Sequence, residues 1–485
     1  MLSLRGPLSP GPAAAPAPLP VTLRRIAMAV VMVAALLLIF VDSRALTALA
    51  AGALVLFLLL AWRQFRTGTW VPLLLSLAVL ALALWRGVPA GVLWQAADRM
   101  IFLAALIAML GTLRSAAAIA PEVLQAGAYV TSQPASRRYL AMTFGGHLFG
   151  VLINFGGLAL LLDLAKRSMT AETAARLPEE AVEARLRRMT LAVVRGFSMI
   201  SLWSPFGFAT NAILIALPGA SYMDFGPAGL AMSFVFVAIG WGFDRRDGRR
   251  FRRLGLPRPS PPPGSWRGAA ALVAHVLALG AAVFAAHALT PLSFQQGLIC
   301  AVPVYALLWA ASAGRRGMGR ARAGLGAAAR ATWARLSDLG AEVGVFAAAG
   351  FLPVLLLALL PTEDLRAAIL GLGLDPIVLA LGLCLLTVVL ALCGVNPIVT
   401  ASVFGAIAAQ LAMPGLSNTA IALAITGGWT AVIGLSPFIT TLVVAAAIMG
   451  RSTARIGLVW NGPYCLAILL VWLLFLAGLM AGGLI

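Results

Sequence analysis

The chain has 485 residues, of which 61% are hydrophobic and only 11% are charged. Soluble domains average nearer one half apolar and one quarter charged residues, so this composition excludes a soluble globular protein and predicts a membrane protein. The formal net charge is +19, and every basic residue except Lys166 is an arginine. These arginines lie between apolar runs, as they do where loops set the membrane orientation, so we expect no nucleic-acid partner.

The first 25 residues are rich in proline and predict a disordered cytosolic tail. Apolar runs of about 20 residues predict membrane helices. The plain spans are Ile26–Val41, Ala45–Trp62, Trp70–Trp85, Met100–Leu113, Pro227–Phe243, Gly268–Thr290, Phe294–Ala313, Val343–Leu360 and Tyr464–Ile485. Four further apolar stretches are too long, or too interrupted by glycine and proline, to be simple spans: Tyr139–Ala165, Thr190–Leu217, Asp375–Gln410 and Asn418–Gly450.

The positions of arginine and lysine predict the orientation, because short basic loops stay in the cytosol. The stretch 139–165 has a basic pair on each flank, so we interpret it as a re-entrant hairpin on the cytosolic side. We interpret 375–410 as a second hairpin that enters from outside. All but five of the 35 basic residues are then cytosolic; the exceptions are the external Arg44, Arg86, Arg99 and Arg366, and Arg195 within a span. This orientation places the N-terminus in the cytosol and the C-terminus outside a bacterial inner membrane.

The segment 244–267 is rich in arginine and proline, and it predicts a cytosolic linker between two halves, 26–243 and 268–485. Each half contains a hairpin followed by a broken helix, 190–217 or 418–450, and the second half is inverted in the membrane. The predicted fold is an all-α polytopic membrane protein with about eleven transmembrane helices and two re-entrant hairpins in two inverted-topology repeats. Inverted repeats are typical of secondary transporters, whose binding site lies where interrupted helices meet near the midplane.

Both broken helices contain Ser-Pro-Phe, and a pair of hydroxyl or amide side chains begins four residues after the phenylalanine in the first and two residues after it in the second. Proline removes a helix hydrogen bond, and the freed backbone groups need protein, water, an ion or a substrate as partners. Hydroxyls add ligands for a small cation, whereas a new helix N-terminus attracts an anion. The alternative is a locally satisfied proline kink, which the repetition in both halves disfavours. The candidate binding residues are Ser204, Pro205, Gly207, Thr210 and Asn211 in the first break, and Ser436, Pro437, Thr440 and Thr441 in the second.

The hairpin tips add a second set of candidate binding residues: Asn154 and Gly156 in the first tip, and Asn396, Pro397 and Thr400 in the second. An amide in an apolar run is costly unless it is bonded, and asparagine can both donate to a carboxylate and accept from a hydrated cation. Each asparagine could instead only turn the chain or cap an arm; their matching positions favour binding. The literal Ser417-Asn418-Thr419 lies in an external loop and predicts a helix cap.

Ionisable residues are sparse in these segments, and neither the tips nor the breaks contain a carboxylate. His147 in the first hairpin can titrate near neutral pH, and Arg195 in the first broken helix can attract an anion. Their alternatives are a histidine bonded within its arm and an arginine that snorkels to the cytosol. Asp163 and Glu342 lie near span ends, where charged side chains usually reach the interface.

Together these motifs resemble the ion transporter superfamily, which includes divalent anion/sodium symporters, arsenite permease-like proteins, sodium/proton antiporters and the large membrane subunits of tripartite periplasmic transporters. Its members have similar spans, hairpins and inverted halves, with a Ser-Asn-Thr signature at the tips and Gly-Thr-Pro-x-Gly-x-x-x-Asn in the broken helices. Trp203-Ser204-Pro205-Phe206-Gly207 with Asn211 is similar to the second signature, and each tip keeps the asparagine of the first. The resemblance covers roughly Met100 to the C-terminus. It implies paired ion sites beside the substrate, sodium at the hairpin tips and a scaffold that forms a homodimer.

We therefore predict a secondary active transporter that moves a small, carboxylate-like anion, coupled to sodium or protons by alternating access. Neutral amides, hydroxyls and helix N-termini suit a carboxylate better than a cation. Two alternatives stay open: a cation/proton antiporter of the same fold, and a membrane subunit that needs a periplasmic binding protein. The spans contain no metalloprotease, nucleophile-elbow or paired-aspartate motif, so we expect neither enzyme activity nor a cofactor beyond the coupling ion.

Overall fold

In the computed structural model, residues 18–169, 178–249, 261–313 and 318–485 are described, and all regular structure among them is helical. Ten helices are long and apolar enough to cross a membrane, or eleven if one pair that bends by 116° counts as a single span. The prediction of an all-α polytopic membrane protein with about eleven spans is confirmed.

Among its described residues, the first half contains eleven helices and a short 3₁₀ turn, Trp62–Gln64. The helices are α1 (Leu19–Leu38), α2 (Arg44–Ala61), α3 (Thr67–Trp85), α4 (Ala90–Ala117), α5 (Pro121–Thr131), α6 (Ala135–Ile153), α7 (Phe155–Arg167), α8 (Glu179–Ser198), α9 (Ile200–Trp203), α10 (Phe208–Ala216) and α11 (Tyr222–Gly248).

The second half contains ten helices, and a π-helical turn, Arg455–Asn461, opens the last of them. The helices are α12 (Trp266–Leu289), α13 (Phe294–Ala313), α14 (Met318–Leu336), α15 (Gly340–Leu359), α16 (Thr362–Gly371), α17 (Pro376–Leu392), α18 (Pro397–Leu411), α19 (Asn418–Ile433), α20 (Thr440–Met449) and α21 (Gly462–Ala481). The bent pair consists of α16 and α17.

Two helical hairpins occupy the predicted places. In hairpin 1, α6 and α7 pack together and meet at Asn154; in hairpin 2, α17 and α18 pack together on either side of a short turn. Five of the spanning helices separate the two hairpins along the chain. An odd number of spans among the described residues is what two inverted halves require, and the inversion itself stays a prediction.

Several predicted boundaries differ from the structure; α4, for example, begins at Ala90 rather than at Met100. α1 begins at Leu19 rather than at Ile26, because Pro20 lies in the first helical turn, where its missing N–H has no intrahelical partner to lose. Residues 1–17 of the predicted tail lie outside the described residues. α8 begins at Glu179, well before position 190, so a charged turn continues directly into the first broken helix.

The predicted linker also begins later than expected, because α11 continues through Gly248. Its Asp244 accepts hydrogen bonds from Arg188 at 2.7 Å and 2.6 Å, and this bidentate pair holds the end of α11 against α8. Residues 250–260 lie outside the described part, and α12 begins at Trp266. The linker prediction therefore applies only to the chain between these helices.

Glycines bring hairpin 1 close to the first broken helix. A side chain at Gly146 on α6 would begin only 2.5 Å from the carbonyl oxygen of Val193 on α8. Glycine is required here because the two backbones approach each other more closely than any larger residue allows. Hairpin 1 and α8 are thus packed as one unit, which positions the tip beside the break.

Candidate functional site

The tip of hairpin 1 is a single strained residue. Asn154 joins α6 to α7 with φ 53° and ψ −136°, a conformation that L-residues disfavour. Its backbone is held by the N–H groups of Gly157 and Leu158, which donate to its carbonyl oxygen at 2.9 Å and 3.2 Å. Its side-chain amide has no hydrogen-bond partner among the described residues, and it lines a cavity. Strain of this kind is typical of binding sites.

The tip of hairpin 2 is built differently. Gly394 takes the positive φ of +93°, and Asn396 caps α18 by accepting a hydrogen bond from the Ile398 N–H at 3.1 Å. The side-chain oxygen of Asn396 therefore acts as a helix cap, which was the alternative to a binding role. Its amide nitrogen has no partner in the described part of the chain and remains available at the wall of the same cavity.

The first break spans the four residues between α9 and α10. Asn211 closes it locally, because its Nδ2 donates to the carbonyl oxygens of Pro205 at 3.1 Å and Gly207 at 2.9 Å. Three oxygens beside the break are buried without a hydrogen-bond partner: Ser204 Oγ, Thr210 Oγ1 and Asn211 Oδ1. Unsatisfied buried oxygens at a helix break can accept from water or ligate a cation.

The second break lies between α19 and α20. Ser436 Oγ donates to the carbonyl oxygen of Ala391 at 2.7 Å, so the break is tied to the first arm of hairpin 2. The N–H of Phe438 donates to the same hydroxyl at 3.3 Å. Thr440 and Thr441, which begin α20, line the cavity.

All four interruptions meet at one cavity of about 740 Å³. Six predicted residues line it: Asn154, Gly207, Asn396, Pro397, Thr440 and Thr441. The other predicted binding residues of the tips and breaks, which do not contribute to its wall, are Gly156, Ser204, Pro205, Thr210, Asn211, Thr400, Ser436 and Pro437. Thr400 Oγ1 is a further buried oxygen without a partner.

The amino ends of four helices converge on this cavity. Phe155, Phe208, Pro397 and Thr440 are the first residues of α7, α10, α18 and α20, and each of them lines the cavity. The unpaired N–H groups of a helix N-terminus carry a partial positive charge. The cavity is therefore surrounded by four positive helix ends.

The cavity wall also contains residues that the sequence did not single out. Its aromatic members are Phe155, Phe197, Phe206, Phe208, Phe346, Trp429 and Phe438. Phe206 and Phe438 belong to the Ser-Pro-Phe motifs, but phenylalanine is common throughout apolar spans, so no pattern in the sequence distinguishes the other positions. They give the cavity a largely apolar surface with amides and hydroxyls at intervals, as in many small-molecule sites.

One end of the cavity reaches exposed charged residues. Arg66, in the loop between α2 and α3, and Asp338, between α14 and α15, are both exposed and both line it. Glu342 lies deeper, in the first turn of α15. In the orientation predicted from the sequence, the loops that contribute Arg66 and Asp338 are cytosolic, so we expect this end of the cavity to face the cytosol.

His147 and Arg195 lie outside the cavity wall. His147 Nδ1 lies 3.2 Å from the Gly196 carbonyl oxygen, and its Nε2 accepts a hydrogen bond from Trp203 Nε1 at 3.1 Å. Because the carbonyl can only accept, Nδ1 carries the proton and the ring is neutral. Both nitrogens are bonded, so the geometry favours the structural alternative for this histidine.

Arg195 is buried, with 3% of its surface exposed, so it does not snorkel. Its Nε donates to Asn461 Oδ1 at 2.8 Å, and its guanidinium lies 4.3 Å from the ring centroid of Tyr464. Asn461 Nδ2 in turn donates to the Gly434 carbonyl oxygen at 2.9 Å, at the start of the second break. Arg195 thus connects the first broken helix to the second.

No protein-family model and no curated protein sequence matches the chain. Its structure is similar to the crystal structure of the YdaH transporter of Alcanivorax borkumensis, with a TM-score of 0.54. The two sequences are 19% identical over a match that covers 78% of this chain and 85% of the YdaH chain. At that identity the likeness shows the fold alone. The chain is therefore a multi-pass membrane protein with a fold similar to that of a membrane transporter, and its membership of the ion transporter superfamily stays a prediction.

Proposed function

We propose that this chain is a secondary active transporter of the bacterial inner membrane. It moves a small, carboxylate-like anion, coupled to sodium or protons, by alternating access. The observation that carries the proposal is the meeting of both hairpin tips and both helix breaks at one cavity. Irregular backbone at membrane depth persists only where it is buried in protein or lines a polar cavity.

The anionic character of the substrate follows from the charges around the cavity. Four helix N-termini face it, and the amides of Asn154 and Asn396 are free to donate. Positive helix ends stabilise a carboxylate without any charged side chain. The aromatic wall accommodates an apolar body attached to the carboxylate, so we expect aromatic carboxylates to be among the best substrates.

Sodium coupling is supported by the oxygens that lie just behind the cavity wall. Ser204, Thr210, Asn211 and Thr400 each present a buried side-chain oxygen without a hydrogen-bond partner. Hydroxyl and amide oxygens suit a hard cation. Proton coupling remains the alternative, since Glu342 lines the cavity as a carboxylate.

Alternating access requires the cavity to open toward the other side as well. The present structure is open at the end that carries Arg66 and Asp338, the predicted cytosolic side. The two hairpins enter from opposite sides, so the same units can shield the cavity from either face in turn. We interpret the structure as an inward-facing state.

The test is uptake of labelled benzoate and succinate into proteoliposomes that contain only this chain, with an imposed sodium or proton gradient. Asn154→Ala, which removes an amide from the cavity wall, is expected to abolish uptake. Asn418→Ala is the matched control, because this asparagine lies outside the cavity and donates only to the Pro218 carbonyl oxygen at 3.3 Å. Its uptake is expected to equal that of the wild type.

Other outcomes would select the alternatives. Sodium or proton fluxes without any carboxylate movement would favour a cation/proton antiporter. The absence of any measured flux in every assay would indicate that a periplasmic binding protein or another subunit is required. Equal uptake by Asn154→Ala and the wild type would show that the hairpin tip is not part of the binding site.

A further inference from the structure

Three charged side chains cluster beside the exposed end of the cavity without forming an ion pair. Arg114 belongs to α4, Arg335 to α14 and Glu342 to α15. Glu342 lines the cavity and interacts electrostatically with both arginines. In the described chain, no carboxylate oxygen lies within 4.0 Å of either guanidinium.

Both arginines are incompletely satisfied. Arg114 Nε and Arg335 Nη1 are buried and have no hydrogen-bond partner. Burial lowers the pKa of Arg335, and the charge of Arg114 lowers it further, whereas Glu342 and Asp338 raise it. A guanidinium N–H that has lost water without gaining an acceptor costs free energy. With Arg66 and Asp338 counted, three guanidinium groups face two carboxylates at this end of the cavity, so an excess positive charge remains that a further anion can neutralise.

The charged groups on the elements that pack around Glu342 do not cancel this excess. Arg114 faces it from α4, and Arg335 and Asp338 face it from α14 and the turn that follows. α2, the 3₁₀ turn, α3 and α18 also pack against α15; the titratable residues on them are Arg44 and Arg63, which are both cations. Arg66 contributes a further positive charge at the exposed end of the cavity.

The cluster is continuous with hairpin 1. Arg114 Nε lies where a side chain at Gly156 would project, so the guanidinium packs directly against the first turn of α7. That turn follows Asn154 and carries the positive end of the helix. An anion bound by Arg114 therefore lies beside the hairpin tip and within reach of the cavity.

We propose that Arg114 and Arg335 form a binding site for the carboxylate group of the substrate, with Glu342 as the internal anion that faces them while the site is empty. This inference rests on the proposed function and deepens it, because it names the charge that the solute carries and the residues that recognise it. Two carboxylates in one site repel each other. Protonation of Glu342 therefore favours anion binding, and the site takes up a proton together with the carboxylate.

The experiment measures binding to the purified full-length chain in detergent by isothermal titration calorimetry. The probes are benzoate and succinate, with the neutral benzamide and succinamide as controls. The wild type is expected to bind the carboxylates, not the amides, and to bind them more tightly at pH 5 than at pH 8. Arg114→Gln and Arg335→Gln should each weaken carboxylate binding about tenfold or more, since each removes a charge-assisted partner.

Two further variants separate a specific site from general electrostatics. Arg330→Gln removes the same charge from an exposed position on the helix that carries Arg335, and it should leave binding unchanged. Glu342→Gln removes the internal anion, so it should bind carboxylates more tightly than the wild type and should lose the pH dependence. Arg335 lies outside the spanning helices, so its variant tests the site even if Arg114→Gln does not fold.

The proposal is overturned if the wild type binds neither carboxylate, if the amides bind equally well, or if both arginine variants bind like the wild type. Failure of this site and failure of the transporter remain distinguishable. Gradient-driven uptake that is unaffected by Arg335→Gln rejects the site and keeps the transporter. Arginine-dependent binding by a chain that moves no solute keeps the site and rejects the transporter.

Discussion

Replacement of Asn154 by glycine should make the protein more stable and less active. The backbone of this residue, at φ 53° and ψ −136°, carries strain of about 1–3 kcal/mol for an L-residue. Glycine adopts the conformation freely but loses about 0.5–1 kcal/mol more entropy on folding. Its side chain makes no hydrogen bond with the described residues that would be lost. The net gain in unfolding free energy is therefore about 0.5–2 kcal/mol.

The assay compares Asn154→Gly, Asn154→Ala and the wild type by unfolding in mixed micelles with increasing SDS, and by gradient-driven uptake in proteoliposomes. Both variants lack the amide and should lose uptake, but only glycine relieves the strain, so it should exceed alanine in stability by about 0.5–2 kcal/mol. Equal stability of the two variants would refute the strain argument. Wild-type uptake by the glycine variant would show that the amide has no role in transport.

Two further expectations concern packing and pH. Gly146→Ala should lower the unfolding free energy by about 1–3 kcal/mol, because its new methyl group would lie 2.5 Å from the Val193 carbonyl oxygen. In the control Gly52→Ala, the new methyl group has no atom within 4 Å, so this variant should be neutral or slightly stabilising. The pKa of Glu122 is lowered to about 2, mainly by its contact with His275. The contribution of Glu122 to stability is therefore complete above the unfolded-state pKa of about 4.3, and it is lost as the pH falls toward 2. Between pH 5 and pH 2 the wild type should therefore lose more stability than Glu122→Gln, measured by thermal unfolding.

The interruptions of the fold could be predicted because their causes are local. A proline or glycine inside an apolar run disrupts a helix wherever the chain goes. Asn154 and Ser204-Pro205 therefore marked the first tip and the first break correctly in the sequence. The cap at Ser417 followed from the same kind of local rule, and its hydroxyl accepts a hydrogen bond from the Ala420 N–H at 3.0 Å.

The cavity wall could not be predicted, because it depends on which faces of the spans turn inward. Every residue of an apolar span is hydrophobic enough to face lipid. Periodicity therefore does not separate Phe208 or Phe346 from the lipid-facing phenylalanines. Glu342 looked like an ordinary charge near a span end and the sequence did not single out Arg114, since their proximity arises only when α4 packs against α15. The start of α8 was missed for a related reason: its charged first turns are stabilised by partners elsewhere in the chain, such as Arg451, which bonds Glu183 at 2.6 Å.

Arg195 connects the two broken helices, so we expect them to move together in the proposed transport cycle. A buried cation without a carboxylate is costly, and it persists only where polar partners hold it in place. Its partner Asn461 also holds the carbonyl of Gly434, so a single chain of hydrogen bonds runs from the first broken helix to the second. Ser436, two residues after Gly434, separately ties the second break to hairpin 2. A movement of one broken helix against the other would expose the arginine, so the lower-cost motion carries both breaks together against the helices that form the opposite wall of the cavity.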